Sequence, residues 1–420
     1  MADAAGSKRP ADAEVSAGST LEKVDVGGNG GGASSSGGGG GGSSSPKKRA
    51  RTAEEEQYGS AGDDRLKISP SAGGPLTIVT FNVNGGVPRM TKDWREINEF
   101  ITNEKPDAVF FQEWRMPAKG PPKCTTTDNV GRKRGQLKDN TKRDREDVAL
   151  VNRTLLALAR RLGYRVVMSL ANSKKAGSAA LISFAVAQER MKIERWLNTC
   201  PAKDIYYSFD SEGKPSKSHD DEGRVIVVEY PSMTVAALYV PNNGVKEESF
   251  RRRERWDASV RRFVNGFAAD GQPLVLCGDL NVAHKDEDLT HPEFFKSRMF
   301  PAANPDNSGQ PGCTPAEKRR HSLLLECGGG LVDAYRHLHP AAAAGTGTDA
   351  EGMTWRGTAG NQFAEAGRYY GKGMRIDYFL TSKALTRRIK EVKVFGSGAD
   401  RKGFLGSDHC PLKLTLLPPE

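Results

Sequence analysis

Paired cysteines are missing from this chain. Its six cysteines, Cys124, Cys200, Cys277, Cys313, Cys327 and Cys410, are scattered, and none stands in a Cys-x-x-Cys pair. That argues against a zinc site and against a disulfide-stapled secreted domain, and leaves buried or incidental thiols in a reducing compartment. Long apolar runs are missing too. No stretch approaches the ~20 residues that cross a bilayer, and the N-terminus has no signal-peptide core, so no membrane partner is expected. No internal repeat is visible. Large apolar residues are almost absent from residues 1–72, where a Gly/Ser tract runs from Gly27 to Ser45. Such a segment buries too little surface to offset its ordering entropy. The chain is therefore read as a disordered tail over 1–72 and one folded domain over 73–420, a length that a single sandwich domain can hold.

The formal net charge is +10, unevenly placed. The tail holds nine Lys and Arg against ten Asp and Glu, so the remaining 53 basic and 42 acidic residues leave the folded part as the basic one. A basic domain suits a polyanion, through long-range attraction and counterion release. Within the tail, Pro46-Lys47-Lys48-Arg49-Ala50-Arg51 follows the Gly/Ser tract and has the character of a nuclear-import sequence on an accessible tether.

Apolar runs of strand length cover Leu76–Val83, Asp107–Glu113, Ala179–Val186, Val225–Tyr230, Thr234–Val240, Pro273–Cys277, Arg375–Leu380 and Pro411–Leu416. Helical spacing predicts helices over Asp93–Asn103, Val148–Leu162 and Lys246–Phe267. Another begins at Thr314, with Pro315 at the first helical position and Glu317 closing a capping box. Many strands with few helices predict sheets packed face to face with helices outside. Residues 115–147 interrupt this order with ten Lys and Arg, five acids and few apolar groups. They are read as a mobile basic loop near a polyanion's path.

The chemistry lies where polar residues end apolar strands. Asn82 and Asn84 are two apart, so on one strand both point the same way, and Asp279 and Asn281 repeat the spacing. Glu113 ends its strand, Asp377 lies within Arg375–Leu380, where a carboxylate is costly without a partner, and Ser407-Asp408-His409 precedes the last strand. One polar strand end is usually a turn or cap. Five in one domain can converge on a cleft whose oxygen donors suit Mg2+.

These motifs resemble a known family. Thr80-Phe81-Asn82-Val83-Asn84-Gly85, Gln112-Glu113, Tyr239-Val240-Pro241-Asn242, Gly278-Asp279-Leu280-Asn281-Val282-Ala283-His284, Arg375-Ile376-Asp377-Tyr378 and Gly406-Ser407-Asp408-His409-Cys410-Pro411 stand in the order typical of the exonuclease III-like apurinic/apyrimidinic endonucleases, from about residue 76 to 416. The resemblance implies a deoxyribonuclease I-like fold: a four-layer α/β sandwich of two packed mixed β-sheets flanked by helices. It implies Mg2+ as cofactor, with Mn2+ as a substitute, and double-stranded DNA containing abasic sites as partner. A monomer with transient contacts to other repair proteins and a nuclear location is expected.

The resemblance also distributes roles. Glu113 corresponds to the principal metal carboxylate, with Asn84 and Asp408 completing or supporting the site and Asp279 and Asn281 beside it. Asp279 corresponds to the residue that orients or deprotonates the attacking water. His409 corresponds to a phosphate-contacting histidine held by Asp377. Asn242, Asn281 and Tyr239 correspond to phosphate ligands and Asn82 to a support of the cluster. Trp355, Met374 and Ile376 are expected to line an apolar pocket for a baseless sugar. Asn84 stands where some branches carry aspartate, which predicts weaker metal affinity. Val245 stands where vertebrate-type members carry an arginine that enters DNA. The loop Thr358–Gly373 is longer and richer in glycine than in many relatives. Other phosphoesterases share the fold, among them RNA deadenylases and phosphoinositide phosphatases, and a non-catalytic DNA-binding member is a third reading. The full set Glu113, Asp279, Asp377, Asp408 and His409 argues against the last, since binding alone does not require it.

Overall fold

The structure, a computed structural model, describes residues 74–120, 132–172, 176–183, 202–269, 271–297, 300–340, 347, 350–359 and 367–419. The predicted tail with its basic cluster, part of the basic loop, residues 184–186, residues 360–366 and Cys124 and Cys200 lie outside the described residues.

Twelve strands build two six-stranded sheets. In chain order they are β1 (Thr77–Asn82), β2 (Ala108–Gln112), β3 (Tyr164–Ser169), β4 (Ser178–Ser183), β5 (Asp204–Tyr206), β6 (Val225–Glu229), β7 (Thr234–Tyr239), β8 (Leu274–Asp279), β9 (Leu331–Asp333), β10 (Asp377–Ser382), β11 (Ile389–Val394) and β12 (Leu412–Leu416). The first sheet runs β11-β12-β1-β2-β4-β3 and the second β9-β10-β8-β7-β6-β5. Each has one parallel pair at its centre, β1 with β2 and β7 with β8, and antiparallel neighbours elsewhere.

Side-chain alternation then decides the layers. Ile78, Phe110, Ala180 and Ile182 of the first sheet meet Ile226, Val235, Val275, Cys277 and Phe379 of the second in one buried cluster between the sheets. The opposite face of the first sheet, with Val79, Phe81, Val109 and Phe111, packs on Ile97 and Ile101 of α1 (Trp94–Glu104) and on Val151, Leu155 and Leu158. The outer face of the second, with Val225, Val227, Leu238 and Leu276, packs on Val260, Phe263 and Val264 of a long helix, Glu247–Ala269. The result is the four-layer α/β sandwich that the sequence predicts.

Two expectations need correction. The helix predicted from Val148 starts at Lys142. Thr141 and Asp144 form a capping box in which Thr141 Oγ1 accepts from the Asp144 amide at 3.1 Å and the Asp144 carboxylate from the Thr141 amide at 3.0 Å. The helix therefore comprises α2 (Lys142–Val151), a wider turn over Asn152–Leu156 and α3 (Ala157–Leu162), with the long helix Glu247–Ala269 as α4 and Pro315–Glu326 as α5. Secondly, the stretch 115–147 is not one open loop. Ala118–Lys119 pairs with Lys133–Leu137 as a short ribbon. Several of its cations are already committed: Arg115 to Glu113, Lys119 to Asp139, Arg134 to Asp221 and Lys138 to Asp144. Its free charge is therefore smaller than its basic composition suggests.

At α5 the predicted cap is present, with Thr314 Oγ1 accepting from the Glu317 amide and the Glu317 carboxylate from the Thr314 amide. Cys277, Cys313, Cys327 and Cys410 are unpaired among the described residues. No helix of the described residues is long and apolar enough to cross a membrane.

Candidate active site

The site forms where the inner faces of both sheets run out. Asn82 has the parity of Ile78, Asp279 and Tyr239 that of Val275 and Val235, and Asp377 that of Phe379, so all four point between the sheets. Register brings them level: Tyr239 lies beside Asp279 across the parallel pair, and Asp279 faces Asp377 across the antiparallel one. Gly278 precedes Asp279 at φ 124, and a Cβ there would come within 1.9 Å of the Leu238 carbonyl oxygen, so the close approach of β7 to β8 requires glycine.

Asn82 joins the two sheets. Fully buried, its Nδ2 donates to Glu113 Oε1 at 3.1 Å and to Asp279 Oδ2 at 2.9 Å. Glu113 Oε1 also accepts from the Tyr239 hydroxyl at 2.8 Å, and the Arg115 guanidinium donates to Glu113 Oε2. Burial first, then the charge of Glu113, holds the Tyr239 hydroxyl well above its ordinary range. Tyr239 is kept in place by Arg224, whose guanidinium lies 4.3 Å from the ring centroid and donates to the Tyr239 carbonyl at 3.0 Å.

Asp279 is enclosed. Its Oδ1 accepts from the Asn281 amide at 2.9 Å, and its Oδ2 from Asn281 Nδ2 at 3.2 Å as well as from Asn82. Burial pushes its carboxyl up to about 7, opposed by His409 and reinforced by Asp377 and Glu113. His409 Nε2 lies 4.0 Å from Asp279 Oδ2, and its Nδ1 is 2.8 Å from Asp377 Oδ2. Burial disfavours the imidazolium, but the charge and hydrogen bond of Asp377, with Asp279 and Asp408 near, outweigh it and hold His409 up at about 10. Asp279, Asp377 and His409 offer ligand atoms within 4.8 Å of one another. In this group Asp377 and His409 are already bonded to each other.

Asn84 and Asn281 do not continue their strands. Both lie past the strand end in the left-handed region, at φ 48 and φ 50, as does Glu113 at φ 53. Strand alternation therefore does not aim them, contrary to the expectation from their two-residue spacing. Asn tolerates this conformation, whereas for a Glu it costs on the order of 1 kcal/mol or more. Asn84 Nδ2 donates to Asp408 Oδ1 at 2.7 Å, and its amide donates to Asn82 Oδ1 at 3.0 Å. Asp408 Oδ2 accepts from the Trp355 indole N–H at 3.1 Å. Asn242 Nδ2 donates to Asn281 Oδ1 at 3.2 Å.

Trp355 and Met374 are cross-strand partners, and Met374 and Ile376 share a cluster with Ala283, Leu289 and Phe295. Met374 and Ile376 are almost wholly buried, and the half-buried Trp355 and Tyr369 are in edge-to-face contact at 6.2 Å. Val245 is 47 % exposed, three residues past Asn242.

Sequence reasoning missed four supporting residues: Arg115, Arg224, Thr354 and Arg253. Buried Arg253 reaches from α4 to the carbonyls of Pro241 at 3.0 Å, Leu280 at 2.9 Å and Asn281 at 3.2 Å, tying together the two loops that carry Asn242 and Asn281. A signal existed, since Arg253 lies one turn before Trp256 and two before Val260 on the apolar face of its helix.

With fold and site described, the class follows. The chain belongs to the endonuclease/exonuclease/phosphatase family, whose sequence model matches residues 79–409. Within it the chain falls among the exonuclease III-like apurinic/apyrimidinic endonucleases. It is 36 % identical over 354 residues to the DNA-(apurinic or apyrimidinic site) endonuclease of Arabidopsis thaliana, covering 82 % of this chain and 86 % of that one. Two solved structures share the fold. An AP endonuclease from Archaeoglobus fulgidus has a TM-score of 0.51 at 21 % identity, covering 81 % of this chain and 99 % of that one. An AP endonuclease from Leishmania major has a TM-score of 0.53 at 19 % identity, covering 88 % and 100 %. The family's nucleases depend on a divalent metal. The residues here fit one: Glu113 and Asp408 offer hard carboxylate oxygens, and the Arg115 guanidinium on Glu113 Oε2 marks a place where this chain's own geometry favours a cation.

Proposed function

We propose that the protein is a Mg2+-dependent endonuclease that hydrolyses the phosphodiester 5′ to abasic sites in double-stranded DNA, leaving a 3′-hydroxyl. The same site would serve 3′-5′ exonuclease and 3′-phosphodiesterase cleavage. The observation that carries this reading is Asn82, which ties Glu113 of one sheet to Asp279 of the other within a hydrogen bond of each. A metal-binding carboxylate and a proton acceptor are thereby held a fixed distance apart. The relative from Arabidopsis thaliana, named for the same activity, supports the substrate class.

In this reading Glu113, with Asn84 and Asp408, holds Mg2+, for which Mn2+ can substitute. When bound, the cation offsets charge building on the phosphoryl oxygens. Asp279, with its carboxyl near 7, takes the proton of the attacking water. Asn242, Asn281, Tyr239 and His409 donate to the phosphate, and His409, held charged by Asp377, matches the anionic transition state. Trp355, with Met374 and Ile376 beside it, is assigned to an apolar pocket that admits a sugar without its base and excludes a full nucleotide by size. The test is a duplex with one tetrahydrofuran site, with and without Mg2+, against phosphoinositide and poly(A) substrates. Single-site incision that requires the metal supports the reading. Cleavage of the phosphoinositide or poly(A) alone would sink it.

The protein acts as a monomer in the nucleus in this reading, with transient contacts to other repair proteins. Lys47, Lys48, Arg49 and Arg51 motivate the nuclear location. A fluorescent fusion with all four changed to alanine is expected to lose nuclear enrichment, and unchanged enrichment would show the cluster to be incidental.

A further inference from the structure

Thr354 has no catalytic atom of its own, yet its side chain has a complete set of partners. Its Oγ1 accepts from the backbone amides of Ile376 at 3.1 Å and Asp377 at 3.0 Å. A hydroxyl has two acceptor lone pairs and one proton. With both lone pairs engaged, the proton goes to the remaining neighbour, Asp377 Oδ2, at 2.6 Å. That oxygen is the one that faces His409 Nδ1 at 2.8 Å, while Asp377 Oδ1 is buried with no hydrogen-bond partner among the described residues. Thr354 also holds the other half of the pair, since its carbonyl accepts from the Cys410 amide at 2.8 Å, next to His409. The residue is fully buried, so no water replaces these bonds.

We propose that Thr354 is the positioning residue of the Asp377–His409 pair: its hydroxyl fixes which way the Asp377 carboxylate faces, and so aims the His409 ring into the site. Asp377 and His409 come from β10 and from the loop before β12, and the segment that carries Thr354 lies against both. Thr354 binds both through one backbone carbonyl and one hydroxyl. Without the hydroxyl, the carboxylate can turn about its own bond, and the imidazole follows it. A small misplacement of a reacting or phosphate-binding group costs on the order of 10²-fold in rate.

The proposal rests on the phosphodiesterase reading only for its kinetic arm. Thr354→Val keeps the shape and removes the donor and both acceptors, and Thr354→Ser restores them. On the abasic duplex, Thr354→Val is expected to lower kcat about 10²-fold with KM little changed, and Thr354→Ser to recover to within about tenfold of the parent. Proton NMR of the substrate-free protein gives the second arm. The His409 Nδ1–H signal should stand far downfield in the parent and in Thr354→Ser, and be lost or moved upfield in Thr354→Val. This signal does not depend on what the substrate is, so a wrong substrate would leave it intact. If Thr354→Val does not fold, Thr354→Cys, with a weak donor of similar size, takes its place against Thr354→Ser. Equal kcat and an unchanged signal in Val, or in Cys against Ser, would overturn the proposal. So would a loss of kcat that serine does not restore and that tracks loss of folded protein, since that is packing alone.

Discussion

The two sheets are built alike and equipped differently. Each has two antiparallel strands, a parallel pair and two more antiparallel strands, and in each the parallel pair ends at the site. The first pair ends in Asn82 and Gln112, and Glu113 follows in a left-handed turn, where a carboxylate oxygen meets the guanidinium of Arg115. The second ends in Asp279, fully enclosed by Asn82, Asn281 and His409. The first sheet thus presents a carboxylate paired with a guanidinium and the second a carboxyl lifted to about 7. Environment, not residue type, separates the two tasks.

The hardest blow to this comparison is to remove each carboxylate. Glu113→Ala and Asp279→Asn are each expected to lower cleavage of the tetrahydrofuran duplex by more than tenfold, about 1.4 kcal/mol, and Asp279→Asn by as much as about 10⁴-fold. Raising the Mg2+ concentration should recover part of the Glu113→Ala deficit and none of that of Asp279→Asn. Equal recovery in both would show that the two ends do one job.

A smaller effect concerns stability in the metal-free protein. Asp279 is raised from 3.8 to about 7 and His409 from 6.5 to about 10, so the folded state holds both protons more tightly than the unfolded one. The stabilisation from Asp279 is full below about pH 4 and lost as pH rises to about 7, and that from His409 is full below about 6.5 and lost as pH rises to about 10. The melting temperature should therefore fall as pH rises through both windows, and Asp279→Asn should flatten the lower one. Melting curves at unit steps of pH measure this, and a rise between pH 5 and 7 in the parent protein would contradict it.

The smallest effect tests the basic stretch. Lys133, Lys142 and Arg143 are exposed, unlike its paired cations. If they meet phosphates, changing all three to alanine flattens the slope of log affinity against log salt by about 0.9 for each phosphate that is no longer neutralised, equally on abasic and intact duplex. An unchanged slope places this face away from DNA. Loss of discrimination instead would place it at the lesion.

The comparison also marks what was legible beforehand. The eight strands expected from apolar runs are the inner four of each sheet, and the four not expected, β3, β5, β9 and β11, are the outermost. Inner strands are covered on both faces and read as continuous apolar runs. Of the outer strands, β5 and β9 are short and β11 is charged, as Ile389-Lys390-Glu391-Val392-Lys393-Val394, and these features blunt the sheet edge. Asn82, Glu113, Asp279, Asp377 and His409 stood out because a polar group at the end of an apolar run has no packing reason to be there. Arg115 and Thr354 did not, since nothing in their neighbours along the chain marks them.

Residue order alone determined the inner strands, the helical faces, the cap at Thr314 and the polar strand ends, because each is a matter of period or local hydrogen bonding. Tertiary structure decided the rest. Only the packing of two sheets brings Asn82 to Asp279, 197 residues apart, and only the pairing of β1 with β12 brings Asn84 to Asp408, 324 apart. The left-handed turns at Asn84, Glu113 and Asn281 re-aim side chains that strand alternation would have pointed elsewhere. Burial, which no stretch of sequence possesses by itself, lifts the carboxyl of Asp279, because the cost of a charge depends on the water it has lost.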